Sequence, residues 1–337
     1  MMEGQLKPGS VAGGYATTIA GLNPFSVIGI DIGGTKVGGG IATYELRGRF
    51  PVVRGYRMIP TNAQQGGDAL LDRVVSLIGE LIEQARTELS EFPLVGVGIA
   101  TAGRVSAADG SIAYANEILP GWTGQPVRAT VEARYSLPCA VLNDVQAYAM
   151  GEIRHGAAAG AKTAVVVAAG TGLGGAVVVN GSVVMGAHGF AGELGHTLSP
   201  YAAGIVCSCG SVAHLESVAS GSGIEARYLE ATGQALSGAE ISRHALEGDR
   251  EALRVIEQAG RSLGESIGSW ATILDPELVV ISGSVCKAGK PWRDALEQGV
   301  SAQLPEQMRG LPIVEAALGN NAPIVGASER LLDLLTL

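Results

Sequence analysis

The run Val27-Ile28-Gly29-Ile30-Asp31-Ile32, its continuation Gly33-Gly34-Thr35-Lys36 and the apolar stretch at residues 37–43 decide how this chain begins to fold. A short β-branched run, a glycine-rich turn and a second apolar run read as a β-hairpin. Consecutive small residues let backbone amides approach an oxyanion, and Thr35 and Lys36 add a hydroxyl and a charge. An ordinary hairpin turn fits the same residues, because glycine-rich turns are common. A Walker loop is excluded, since its spacing of glycines, lysine and hydroxyl is absent. A dinucleotide fingerprint fits poorly, since a strand rather than a long helix follows the turn.

The theme returns in the second half. An apolar strand at residues 163–169 leads into Gly170-Thr171-Gly172-Leu173-Gly174-Gly175, and residues 176–179 resume the run. Two strand, glycine turn, strand units imply an internally duplicated fold, with two loops placed to grip a nucleotide's phosphates. Helical spacing predicts helices over residues 68–86, 143–152, 214–231, 238–246, 250–274 and 325–335. Strands are expected at residues 94–99, 140–142 and 278–281, the last stopped by Ser282-Gly283-Ser284. Alternation of strands and helices without an obvious linker indicates an α/β protein.

Bulk composition narrows the class. At 337 residues the chain exceeds one ordinary core, so two lobes or a domain split by a cleft are expected. A 47% hydrophobic, 16% charged sequence with 50 glycines describes a packed globular protein with many tight turns. The formal charge of −9 argues against general nucleic-acid binding, which needs a basic footprint, but not against a nucleotide. Four cysteines, with Cys207 and Cys209 one residue apart, do not form a disulfide framework, so a cytoplasmic setting is expected. Residues 1–26 read as a flexible tail rather than a signal peptide. Residues 163–179 are apolar but too short and glycine-interrupted to cross a membrane.

Further candidates carry chemistry. Asn143-Asp144 sits where a strand ends and a helix opens, and Asp144 has two readings: a helix cap, or a carboxylate that accepts a hydroxyl proton. Cys207 and Cys209 by themselves read as two buried free thiols and His214 as a surface histidine. Glu216 is either a first-turn helix acid or a ligand-facing group.

These motifs together resemble the ROK family (repressor, open reading frame, kinase) of the sugar kinase, hexokinase and actin superfamily, from about Val27 to the C-terminus. The resemblance implies an actin-like ATPase, ribonuclease H-like duplicated fold with two lobes around a central cleft. One lobe would comprise residues 27–142 plus 322–337, the other residues 143–321 with a zinc-type loop. It implies ATP with Mg²⁺ on Asp31, Gly33, Gly34, Thr35, Lys36, Gly170, Thr171, Gly172, Gly174 and Gly283. It implies Asp144 as catalytic base and a sugar on Asn116, Asn143, Asp144, Glu193, His196 and Glu216. In the family's zinc segment, Cys-x-Cys-Gly-x-x-Gly-Cys-x-Glu, the third cysteine is replaced here by His214, so the resemblance implies a two-His, two-Cys set of His196, Cys207, Cys209 and His214, and retained zinc and lost zinc both stand.

The activity implied is phosphorylation of a hexose or N-acylhexosamine at the 6-hydroxyl, in a homodimer or homotetramer with no nucleic-acid or membrane partner. Residues 143–147 and 216–224 look like N-acetylmannosamine kinases; Asn116 in its Leu-Pro-Gly-Trp context and Gly319-Asn320-Asn321-Ala322 look like glucokinases. Trp122 is expected in the core or at a lobe contact, and Glu277 as a surface acid. A non-catalytic sugar sensor or transcriptional regulator of the family is the rival. Its extra DNA-binding module is not expected, because 26 residues with one lysine and no arginine precede the first strand.

Overall fold

The computed structural model describes residues 22–335. The tail expectation for residues 1–21 lies outside them. The hairpin begins earlier than residue 27. Strand β1 (Phe25–Ile32) already includes Phe25, which is buried and stacks on Tyr44 at 4.9 Å.

The first half builds β1, β2 (Lys36–Tyr44), β3 (Val52–Pro60), helix α1 (Gly67–Glu88), β4 (Leu94–Thr101), the two-stranded β5 (Arg104–Val105) and β6 (Ile112–Tyr114), α2 (Val127–Tyr135), β7 (Cys139–Asn143) and α3 (Asp144–His155). The second half builds β8 (Ala164–Ala169), β9 (Leu173–Val179), β10 (Ser182–Val183), α4 (Glu216–Ala219), α5 (Gly221–Thr232), α6 (Gly238–Leu246), α7 (Arg250–Leu274), β11 (Leu278–Ser282), α8 (Lys290–Gln303), β12 (Ile313–Glu315) and α9 (Ala322–Leu335).

The two large sheets repeat one order, β3-β2-β1-β4-β7 and β10-β9-β8-β11-β12. In each, a hairpin pairs antiparallel and its first strand then runs parallel to a later one. Alternation along the strands sorts their two faces. Ile28, Ile30 and Ile32 face α1, while Phe25 and Val27 share a cluster with Leu331 and Leu332 of α9. In the second sheet Val165 and Val167 join the large helical core, and Ala164 and Val166 pack with Met150 and Ile153 of α3. Helices α3 and α9 therefore form a central pair, one on each sheet. Their backbones meet closely, with Gly326 against the Ala147 carbonyl, where any side chain would collide.

Several expectations need adjustment. The helix expected over residues 214–231 is two helices, broken at Ser220, whose extended backbone and hydroxyl cap Gly223 at the start of α5. β3, α2 and α8 lie outside the sequence expectations. β3 is a largely exposed edge strand with no clean alternation, and α2 buries only Val127 and Val131. Trp122 belongs to the first core, and its indole N–H donates to Thr101 Oγ1 at 3.0 Å. Glu277 is exposed, as expected, yet it accepts from the Lys162 and Thr163 amides that start β8. Among the described residues no helix is long and apolar enough to cross a membrane.

Candidate functional site

A cleft of about 960 Å³ lies between the two sheets. Asp144 stands at its seam, as the first residue of α3 directly after β7. The side chain that caps α3 belongs to its neighbour: Asn143 Oδ1 accepts from the Val145 and Gln146 amides at 3.0 and 3.2 Å. Asn143 Nδ2 donates to the Gly103 carbonyl and to Asp144 Oδ1, both at 2.9 Å. Asn143 thus uses its amide to aim the carboxylate, and Asp144 Oδ1 also accepts from the Val145 amide at 2.9 Å, so both side chains meet the start of α3. Burial pushes the Asp144 carboxyl up to about 7, with repulsion from Asp31 adding to it. Asp31 is itself raised to about 6 by burial, partly offset by Lys36.

At one end of the cleft the lining includes Asn116, Glu193, His196 and Glu216. Glu193 holds Arg104 across the lobes, Nε to Oε1 3.2 Å, and lies 3.5 Å from His196 Nε2. Arg104 also sits 3.8 Å over the Phe190 ring and 5.0 Å over Tyr114, a cation–π sandwich that fixes its guanidinium. The stretch from Gly98 to Arg104 parallels the family's first sugar motif, but nothing in the sequence pairs Arg104 with Glu193; the fold brings the two together. Glu216 accepts from the Leu173 amide at 2.9 Å and from Ser208 Oγ at 2.7 Å, so it joins the glycine loop to the cysteine loop. It is not a free surface acid.

The second glycine turn lines the middle of the cleft through Gly170, Thr171, Gly172 and Gly174. It is fixed from behind, where the Gly221 and Ser222 amides at the start of α5 donate to the Gly170 and Thr171 carbonyls. The first turn behaves differently. Lys36 lines the cleft, but Asp31, Gly33, Gly34 and Thr35 are not among the lining residues. Thr61 Oγ1 donates to the Gly33 carbonyl at 2.7 Å, and Ile118 lies directly against Gly34. The far end is lined by Ser282, Gly283, Ser284, Cys286, Lys287, Ala316, Gly319 and Asn320. Gly283 has φ +100, and a Cβ there would collide with the Ala169 carbonyl, so only glycine fits this crossing.

Beside His196 the chain gathers His196, Cys207, Cys209 and His214, all four ligand atoms within 4.8 Å of one another. His196 Nδ1 is 3.3 Å from His214 Nδ1 and 3.8 Å from Cys207 Sγ, and Cys209 Sγ is 3.2 Å from His214 Nδ1. Metal–nitrogen bonds of roughly 2.0–2.1 Å and metal–sulfur bonds of about 2.3 Å give tetrahedral edges of about 3.3 Å between nitrogens and about 3.6 Å between nitrogen and sulfur. The cluster fits that geometry, with His214 in the place of a third thiolate.

A strand order used twice around a cleft with a carboxylate at its seam defines a duplicated, two-lobed α/β protein of the actin-like ATPase class. A match to the ROK family spans residues 27–333, and the chain belongs to that family. It is similar to a glucokinase of Halalkalibacterium halodurans, 31% identical over 316 residues covering 89% of this chain and 92% of the relative. It is also similar to an N-acetylmannosamine kinase of Yersinia pseudotuberculosis, 32% identical over 306 residues covering 89% of this chain and 96% of the relative. Among solved structures it resembles the ROK hexokinase from Thermus thermophilus (TM-score 0.80, 28% identity, 92% of this chain and 99% of that one). It also resembles a ROK family glucokinase from Streptomyces griseus in complex with glucose and AMPPNP (TM-score 0.74, 26% identity, 90% and 98%).

Proposed function

We propose that this chain transfers the terminal phosphoryl group of ATP to the 6-hydroxyl of a hexose or N-acylhexosamine, with N-acetylmannosamine the favoured acceptor. The observation that carries this reading is the place of Asp144. It lines one cleft together with the glycine loop at residues 170–175 and the polar side chains of Asn116, Glu193, His196 and Glu216. A base with a pKa of about 7 is matched to taking a hydroxyl proton near neutrality.

The sugar O–H bond breaks toward Asp144 as the sugar oxygen forms a bond to the γ-phosphorus, and the bridging oxygen leaves with ADP. Phosphoryl transfer needs mainly positioning and charge stabilisation, and Lys36 with the amides around Gly170 to Gly174 supplies both. Mg²⁺, when bound with ATP, neutralises phosphate charge. The lobes close over the pair of substrates, bringing the Gly33-Gly34-Thr35 turn onto the phosphates and excluding water that would hydrolyse ATP. Gly283 and its neighbours receive the nucleoside.

The metal cluster is assigned to structural Zn²⁺ on His196, Cys207, Cys209 and His214. Bound there, a zinc ion would be held by His196 through Nδ1, and the ring's Nε2, 3.5 Å from Glu193, would stay free for the sugar. Sequence context at residues 143–147 and 216–224 supports N-acetylmannosamine over glucose.

The test is ADP release by the purified protein with N-acetylmannosamine, N-acetylglucosamine, glucose, mannose and fructose, with zinc measured in the same sample. Preference for N-acetylmannosamine and one zinc per chain are expected. Preference for glucose replaces the substrate assignment, and sugar binding with no turnover replaces the kinase by a sensor.

A further inference from the structure

Glu152 lies on α3, eight residues after Asp144, with a fully buried side chain. No basic side chain pairs with it among the described residues. Its oxygens are satisfied by backbone amides alone: Ala157 donates to Oε2 at 2.7 Å, Ala317 to Oε2 at 3.1 Å and Leu318 to Oε1 at 2.8 Å. A buried carboxylate without a cation is costly to keep, and buried amides without acceptors are costly as well. The three donors come from two places. Ala157 follows the end of α3, whereas Ala317 and Leu318 belong to the short connection between β12 and α9. The connection carries Ala316, Gly319 and Asn320, which line the far end of the cleft beside Gly283 and Lys287.

We propose that Glu152 is a positioning residue for nucleotide binding, clipping the connection at residues 316–320 onto the helix that carries Asp144. The inference rests on the kinase reading, in which this end of the cleft receives the nucleoside. One rigid helix then sets both the base at the seam and the wall against which the nucleotide lies. Tight packing between α3 and α9 supports the arrangement, since Gly151 meets the Ala322 carbonyl within 2.5 Å of where a Cβ would stand. An apolar residue at position 152 would fill the space but leave the Ala317 and Leu318 amides without acceptors, and the connection would move to find water.

The experiment measures AMP-PNP and sugar binding by calorimetry, and KM and kcat for ATP and sugar, in wild type, Glu152→Gln and Glu152→Asp. Gln keeps the volume but turns one acceptor into a donor facing an N–H; Asp keeps the charge and withdraws it by one methylene, so either variant tests the clip if the other fails to fold. The expected result is AMP-PNP affinity and KM for ATP weakened about tenfold or more, with sugar affinity within about twofold of wild type. Unchanged AMP-PNP affinity in a folded variant overturns the proposal and leaves Glu152 a structural acceptor. Equal weakening of sugar and nucleotide does the same, since it reports a general loosening. Wild-type protein that binds sugar but no nucleotide defeats the kinase reading itself, and this inference with it.

Discussion

The two glycine turns occupy matching places in matching sheets, yet they meet different surroundings. In the first, Asp31 pairs with Gly38 one step from the turn; in the second, Ala168 pairs with Gly174 at the same step. The first unit therefore ends on a carboxylate and the second on small apolar residues. The first turn is tied to Thr61 and covered by Ile118, and only Lys36 reaches the cleft. The second is braced from behind by α5 and Glu216, with its face open to the cleft. Duplication of a fold has given two scaffolds, one offering charge and the other a preformed amide surface.

The largest effect is expected at the seam between the units. Asp144→Asn is expected to lower kcat by roughly 10²–10⁴, the usual worth of a positioned base, with KM values changed little. The same variant should be more stable than wild type in alkaline solution. An acid whose folded pKa is raised prefers its protonated form in the native state, so native stability falls as pH climbs from the ordinary carboxylate value of 3.8 to about 7. Removing the charge lifts that penalty above about pH 7 and changes nothing below about pH 4. A gain of about 2 kcal/mol at pH 8 is expected, about half of 1.36 kcal/mol per unit over the shift, because the side chain keeps some water. Denaturant melts at pH 4 and pH 8 measure it, and a loss of stability at pH 8 would return Asp144 to a structural role.

Next comes the braced turn. A Cβ at Gly172 would stand 2.9 Å from Glu216 Oε2, the oxygen that accepts from Leu173, whereas a Cβ at Gly170 meets nothing within 4 Å. Gly172→Ala is expected to cost on the order of 10²-fold in kcat/KM by displacing Glu216 and the loop together. Gly170→Ala should stay within about threefold unless bound phosphate fills that open space. Steady-state kinetics on the two variants side by side decides whether bracing matters or merely glycine content.

Much of this contrast is legible in the sequence. The paired glycine runs announce the duplication because a β-branched run ending in glycine turns is a local signal, and α6 and α7 are bounded to the residue because Ser237 and Asp249 cap them. The family resemblance names the four cysteine and histidine residues that the fold gathers, and all lie within one short loop region. What stays hidden depends on distant partners. Arg104 reaches Glu193, Ile118 covers Gly34, and Glu152 holds residues 317 and 318; no local pattern encodes such pairs. Asn143 and Asp144 cannot be told apart as cap and acid from their order, because both side chains accept from the first amides of α3, Asn143 from Val145 and Gln146 and Asp144 from Val145.

A smaller effect is expected at the first turn. Gly34→Ala collides only with the Ile118 side chain, which is exposed and can turn away, so folding stability should change by less than about 0.5 kcal/mol. If closure brings this turn onto the phosphates, kcat/KM for ATP nevertheless falls about tenfold. Unaltered kinetics would mark the first turn as a hairpin that serves the sheet alone, and the contrast between the units would become complete.

The smallest effect separates the charge of the first unit from its shape. Asp31→Asn keeps the size of the side chain and removes the repulsion that helps to raise Asp144. A base acts deprotonated, so activity of the wild type should rise with pH through about 7, and in the variant the rise should begin at lower pH. Roughly half a pH unit is expected, the size of an interaction of about 1 kcal/mol between partly solvated charges. The acid limb of kcat/KM reports the free protein and can be read on residual activity even if phosphate binding also suffers. An unmoved limb would mean that burial alone sets the Asp144 carboxyl; the carboxylate that distinguishes β1 from β8 would then act on the substrate rather than on the base.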